Sequence, residues 1–167
     1  MKLLINTIII STSLFAASVF SSPLKELNKV GEGEMQYLFW TLYTAELYRD
    51  ANFQDENQSQ ALRIVYEKSI SKDALIEATA QQWEHLNYSQ EDIDRWIEPL
   101  ESLWPNVEPG DALTLKTDET GVSQFYFGDQ SLGKIQDPEF GDAFLSIWLS
   151  QNTTEPELRK QLLGLAK

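Results

Sequence analysis

Residues 35–48, MQYLFWTLYTAELY, alternate when read at a period of two. One face carries Met35, Tyr37, Phe39, Thr41, Tyr43, Ala45 and Leu47, and the other Gln36, Leu38, Trp40, Leu42, Thr44, Glu46 and Tyr48. Both faces are largely apolar, so the run reads as one strand that must be covered on both sides. A chain holding such a strand needs a sheet and at least one further layer packed on it. Glu46 is the anomaly on an otherwise apolar face. It marks either the point where the strand leaves the sheet or a buried acid with a raised pKa.

The remaining periodicities supply that layer. After the polar loop RDANFQDENQSQ, residues 61–70 (ALRIVYEKSI) read as a second strand with Leu62, Ile64 and Tyr66 on one face and Val65 on the other. Ser71 then caps a helix, with Asp73 in its positive first turn. Leu75, Ala78, Gln82 and Leu86 fall near one stripe, with Trp83 beside it, and Asn87-Tyr88 ends the helix. Ser89 opens a second helix, in which Ile93, Trp96, Ile97, Leu100, Leu103 and Trp104 recur at helical spacing. Pro99 should kink it and Pro105 stop it. VEPGD is a turn, and ALTLK, VSQFYF and SLGKIQ read as three short strands joined by TDETG and GDQ, whose glycines and aspartates suit hairpins. Phe140, Ala143, Phe144, Ile147 and Trp148 mark a third helix, and Thr154 with Glu157 forms a capping box before a short last one. The order is that of an α+β fold, an antiparallel sheet with helices gathered on one face.

Residues 1–22 stand apart from this fold. Lys2, an apolar stretch from Leu3 to Phe20 and a run of small residues have the layout of a secretory signal peptide. Asn6 and several hydroxyls dilute the apolarity that an uncleaved anchor would need. The reading is therefore an exported, periplasmic domain over residues 23–167, with no stable membrane span once the signal is removed. It contains no cysteine, so packing alone must hold it. The full chain's formal charge of −13, one unit more negative without Lys2, argues against nucleic acid and anionic membrane surfaces, which select basic patches. Nothing in the sequence fixes the oligomeric state.

Taken together, VGEGEMQYLFWTLYTAELY, LWPNVEPGDALTL, YFGDQSLGKIQDPEFGDAFLSIWL and TEPELRKQLLG resemble the exported bacterial branch of the chalcone isomerase-like family. The resemblance runs through nearly all of residues 23–167 in order. It implies an open-faced β-sandwich, one large antiparallel sheet with helices on one face. It leaves function open, because the family includes ring-closing isomerases, fatty-acid-binding proteins and bacterial members without an assigned role.

The family's site carries over only in fragments. Its arginine follows a glycine turn, which corresponds here to Gly31-Glu32-Gly33, and the matching positions are Glu34, Met35 and Gln36. None is cationic. An enolate or carboxylate oxygen needs a preorganised donor or positive charge, and the neutral amide of Gln36 is a weaker donor than a guanidinium. The hydroxyl that plant-type enzymes place on the next strand corresponds to Tyr43. Their tyrosine before the first helix falls near Ile70, and their asparagine near Glu77.

Three functional readings follow. The first is a non-catalytic module that binds a small lipophilic or fatty-acid-like ligand between sheet and helices through Gln36, Tyr37, Thr41 and Tyr43. The second is an intramolecular lyase or isomerase, for which most of the donor set is missing. The third is a structural or partner-binding envelope protein. No cofactor is expected: there is no phosphate-cradling glycine loop or dinucleotide fingerprint, since Gly31 and Gly33 precede a strand rather than a helix. No metal is expected either, because His85 is the single histidine and DANFQDENQ lacks the spacing of a calcium loop.

Overall fold

The computed structural model describes residues 22–52, 54 and 58–166. The expected signal peptide, apart from Ser22, and positions 53 and 55–57 of the polar loop lie outside the described residues. Six strands form one antiparallel meander in sequence order: β1 (Asn28–Tyr37), β2 (Trp40–Arg49), β3 (Gln60–Tyr66), β4 (Ala112–Thr117), β5 (Ser123–Phe127) and β6 (Gln130–Ile135). The helices are α1 (Lys72–His85), α2 (Gln90–Leu103), α3 (Phe140–Leu149) and α4 (Pro156–Leu162). The α+β architecture read from the sequence is the one observed.

The core lies between the inner face of the sheet and the helices. Ala45 and Leu47 of β2, Leu62 and Ile64 of β3, and Leu113 and Leu115 of β4 are buried. Rings fill the space above them: Phe144 of α3 stacks on Phe140 at 5.8 Å between centroids and meets Phe125 of β5 edge-on at 5.4 Å. Such offset and edge-to-face pairs add to simple area burial. Trp83 of α1 is fully buried, and its indole N–H donates to the Ala143 carbonyl at 2.8 Å, tying α1 to α3.

Most helix signals translate directly. The Ser71 hydroxyl accepts from the Ala74 amide, and Ser89 accepts from the Asp92 amide while donating to the Asp92 carboxylate at 2.7 Å. Asn87 ends the first helix in the left-handed region, a conformation asparagine tolerates better than most residues. Pro99 sits inside α2, where it removes one helical donor. The Thr154–Glu157 capping box does not form. Thr154 donates instead to the Gln82 side chain at 3.0 Å, and α4 starts at Pro156, whose missing N–H suits the first helical position.

The largest correction concerns residues 35–48. They are not one strand but the end of β1, a tight turn at Leu38-Phe39, and most of β2, with Tyr37 paired to Trp40. Nor is β2 covered on both faces: Ala45 and Leu47 point into the core, while Thr44, Glu46 and Tyr48 are only half-buried on the other side. Glu46 lies mid-strand, so it marks no exit from the sheet. Its carboxylate takes hydrogen bonds from Lys29 and Arg63, both at 2.8 Å. Burial opposes its charge as the largest single effect, but the two cationic partners together outweigh it and hold the carboxyl below its ordinary value.

The glycine pair is also recast. Gly31 and Gly33 lie within β1, opposite Leu47 and Ala45, rather than in a turn before a strand. Helix α4 packs directly over them. A Cβ on Gly31 would come within 2.1 Å of the Gln161 backbone oxygen, and one on Gly33 within 2.1 Å of the Gln161 side chain. These glycines permit a close approach of helix to strand.

Candidate functional site

A cavity of about 210 Å³ lies between the inner face of β1–β3 and helices α1 and α3. The reason it is open is visible in α1. Ala74 and Ala78 are one helical turn apart on the exposed side of α1 at the cavity's edge, and their short side chains leave its mouth uncovered. The sheet supplies Met35, Tyr43, Ile64 and Tyr66, and α3 supplies Ile147 and Trp148. Gln82, Thr154 and Glu155 edge the opening, where exposed and half-buried residues meet. The volume exceeds the ~150 Å³ at which an apolar void can take up a benzene-sized guest and falls below the ~300 Å³ usual for drug-sized ligands.

A β-bulge aims the strand residues into it. Met35 pairs with Tyr43 and Gln36 with Thr41, which leaves Leu42 as an extra residue on β2. The extra residue reverses the alternation of faces, so Leu42 and Tyr43, though adjacent, both reach the cavity. Beyond the bulge, Gln36 and Thr41 turn away and both donate to the Glu34 carboxylate, at 3.0 and 3.3 Å. Tyr37 stands exposed at the end of the ribbon. Of the four residues expected to touch a ligand, then, Tyr43 lines the cavity, and Gln36, Tyr37 and Thr41 do not.

Besides the polar groups at its opening, the cavity's lining carries two phenols, Thr79, and Trp104, whose buried indole N–H has no hydrogen-bond partner among the described residues. The Tyr43 oxygen accepts a hydrogen bond from the Trp148 indole N–H at 3.0 Å, which fixes the ring and leaves its own proton to donate. Burial pushes the Tyr43 phenol up to about 12, the Trp148 bond opposes that, and the charge of Glu155 adds to it. The Tyr66 ring sits 6.1 Å away, edge-on. Tyr66 is 4% exposed. Burial, then the neighbouring Tyr43, raises its pKa as well. Both groups therefore stay neutral donors at any physiological pH.

No Lys, Arg or His is among the lining residues, and Glu155 is the one charged side chain there. Lys29 is held by Glu32 and Glu46, and Arg49 donates to Gln60 at 3.3 Å; neither reaches the cavity. Ile70 does line it, whereas Glu77 is exposed and accepts from Gln81. His85 lies exposed at the end of α1, 2.9 Å from the Asn152 carbonyl. Among the described residues no group of His, Asp and Glu is arranged to hold a metal ion, and no helix is long and apolar enough to cross a membrane.

Sequence reasoning missed Tyr66 and Trp148 as site residues. A signal for Tyr66 existed, because a tyrosine among Leu62 and Ile64 on an inner face brings a hydroxyl into an otherwise apolar stripe. Trp148 gave no such signal, since its partner lies 105 residues away.

The fold recurs among solved structures. A fatty-acid binding protein of Arabidopsis thaliana superposes with a TM-score of 0.67 at 13% identity, over 85% of this chain and 89% of that one. An uncharacterized protein of Haemophilus influenzae is 29% identical over 160 residues, 93% of this chain and 78% of the relative. The sequence model of the chalcone isomerase-like family matches residues 19–164. On that match, which spans the whole sheet and all the described helices, the chain belongs to the chalcone isomerase-like family.

Proposed function

We propose that this protein is a non-catalytic binding module of the periplasm that holds a small lipophilic molecule in the cavity beside Tyr43. The observation that carries this reading is the make-up of the cavity: mostly apolar walls, a few polar groups led by the Tyr43 and Tyr66 phenols, and no cation among the lining residues. Binding pockets of small molecules share that plan, a mostly apolar lining with a few placed polar groups. The fatty-acid binding protein of like fold lends support at the level of architecture. Export rests on the signal-peptide layout of residues 1–22.

The same make-up shapes the ligand. A developing enolate or a bound carboxylate would meet neutral phenols and the negative Glu155, with no positive group to steady it. A neutral oxygen acceptor, such as a ketone, ester or amide carbonyl, suits Tyr43 and Tyr66 better. The scaffold is thus equipped for holding rather than converting. The test is gentle purification, extraction with organic solvent and mass spectrometry of what comes out, with the Ala78→Phe variant as control. A ring at position 78 fills the mouth from the exposed side of α1 without crowding the core. A lipophile that co-purifies with the wild type and is lost from the variant supports the reading. An empty extract, with no uptake from a panel of neutral lipids and fatty acids, overturns it.

A further inference from the structure

The β1–β2 turn is built from residues that a soluble hairpin avoids. Tyr37, Leu38, Phe39 and Trp40 are 64, 75, 97 and 61% exposed, a contiguous apolar knob on a protein whose formal charge is −13. The β5–β6 turn shows what the same geometry ordinarily uses. Phe127 pairs with Gln130 across Gly128-Asp129, and the first connecting residue has φ +58°. In the β1–β2 turn Tyr37 pairs with Trp40 across Leu38-Phe39, and the first connecting residue has φ +56°. Glycine takes that conformation freely, whereas leucine is strained in it. Local folding and solubility both disfavour Leu38-Phe39, so the knob answers to something outside the fold.

We infer that this knob is a docking element for the surface of a neutral or zwitterionic lipid bilayer, through which the cavity behind it meets its ligand. The layering of residue types favours a bilayer over a protein groove. Two wholly apolar side chains, Leu38 and Phe39, occupy the apex. One level back stand Tyr37 and Trp40, whose part-polar rings suit the headgroup region. At that level the Lys68 ammonium sits 4.5 Å from the centre of the Trp40 ring, placed to meet a lipid phosphate. The large acid excess repels anionic surfaces, which leaves neutral and zwitterionic lipid as the matching chemistry. Leu42, Tyr43 and Met35, which line the cavity, follow two to three residues behind the turn, about 10 Å along the strands. The knob and one wall of the cavity are thus carried by the same two strands.

The test uses the exported protein and phosphatidylcholine vesicles in a flotation gradient, beside the Leu38→Gly/Phe39→Asn variant. That variant gives the turn a residue pair suited to it, so it keeps the fold while removing the apex. Wild type should float, Trp40 fluorescence should shift to the blue, and added salt should change little. The double variant should partition at least about tenfold more weakly, and Trp40→Phe should lose the fluorescence shift. Ala78→Phe should float like wild type, so a failure of the cavity reading and a failure of this one remain distinguishable. Flotation unaffected by the double variant would overturn the inference. So would tighter binding to phosphatidylglycerol than to phosphatidylcholine. A wild-type dimer that the double variant breaks, with no vesicle binding, would instead assign the knob to a second copy of the chain.

Discussion

The β1–β2 ribbon obeys opposite rules at its two ends. At its root, Gly31 and Gly33 lie under α4, Ala45 and Leu47 are fully buried, and Glu46 is bracketed by Lys29 and Arg63. At its tip, four apolar residues face solvent around a strained leucine. The root conforms to what folding asks of a strand, and the tip departs from it. Tyr43 and the bulge at Leu42 stand where one regime gives way to the other, and the cavity is there. The lesson is that rigidity at the root lets the tip and the cavity wall carry residues chosen for other reasons.

The sharpest way to break the comparison is at the root. Gly31→Ala drives a methyl group into backbone oxygens of α4, which cannot swing aside as a side chain can. A loss of about 3 kcal/mol or more is expected in chemical denaturation. Gly33→Ala meets chiefly the movable Gln161 and Leu158 side chains and should cost clearly less. Equal costs would show that α4 is not seated on the strand as described.

At the boundary, Tyr43→Phe removes the acceptor of the Trp148 indole N–H, for an expected loss of about 1–2 kcal/mol. The pH dependence adds a signature. The folded protein holds the Tyr43 proton more tightly than the unfolded chain does, with the pKa moved from 10.0 to about 12. Its contribution is therefore complete below pH 10 and is lost as pH rises towards 12. The variant should lose less stability than wild type across that window, with the remaining slope owed in part to Tyr66. Parallel curves would mean that the Tyr43 phenol is not buried.

Smaller again is Glu46→Gln, which leaves Lys29 and Arg63 without their shared carboxylate. Because both cations are partly exposed, the cost should be about 1 kcal/mol at neutral pH. Glu46 has a lowered folded pKa, so its advantage is present above the ordinary carboxylate range and fades as pH falls through it. Wild type and variant should therefore converge in acid. A gap that persists at low pH would point to packing rather than charge.

The same contrast explains what could be seen in the sequence. The helices announced themselves through Ser71 and Ser89, and β4–β6 through the glycines and aspartates of their turns. The β1–β2 turn was invisible because Leu38-Phe39 carries no turn chemistry and the alternation of apolar residues runs straight across it. The bulge at Leu42 was hidden likewise: an unbroken count of two puts Tyr37, Thr41 and Tyr43 on one face, and one extra residue undoes that. Tyr43 was legible as a phenol on an inner strand. Its partners were not, since Trp148 and the small residues of α1 meet it only through tertiary packing. Local pattern records what local physics demands, and this cavity is made by distant pieces.

The mildest change probes the tip itself. Leu38→Gly/Phe39→Asn should make the isolated protein more stable, by about 0.5–1 kcal/mol, an unusual sign for replacing two large apolar residues. Almost nothing is lost from the core, because Leu38 and Phe39 are mostly in solvent. The strain of a left-handed leucine is relieved, at a cost of about 1–2 kcal/mol in the wild type, although glycine gives part of that back by loosening the unfolded chain. Urea denaturation of both proteins without lipid measures the difference. A stabilised variant means that the native turn sacrifices stability for its apolar apex. A destabilised one means that Leu38 and Phe39 already make contacts within the folded protein, and the two ends of the ribbon would then obey the same rule.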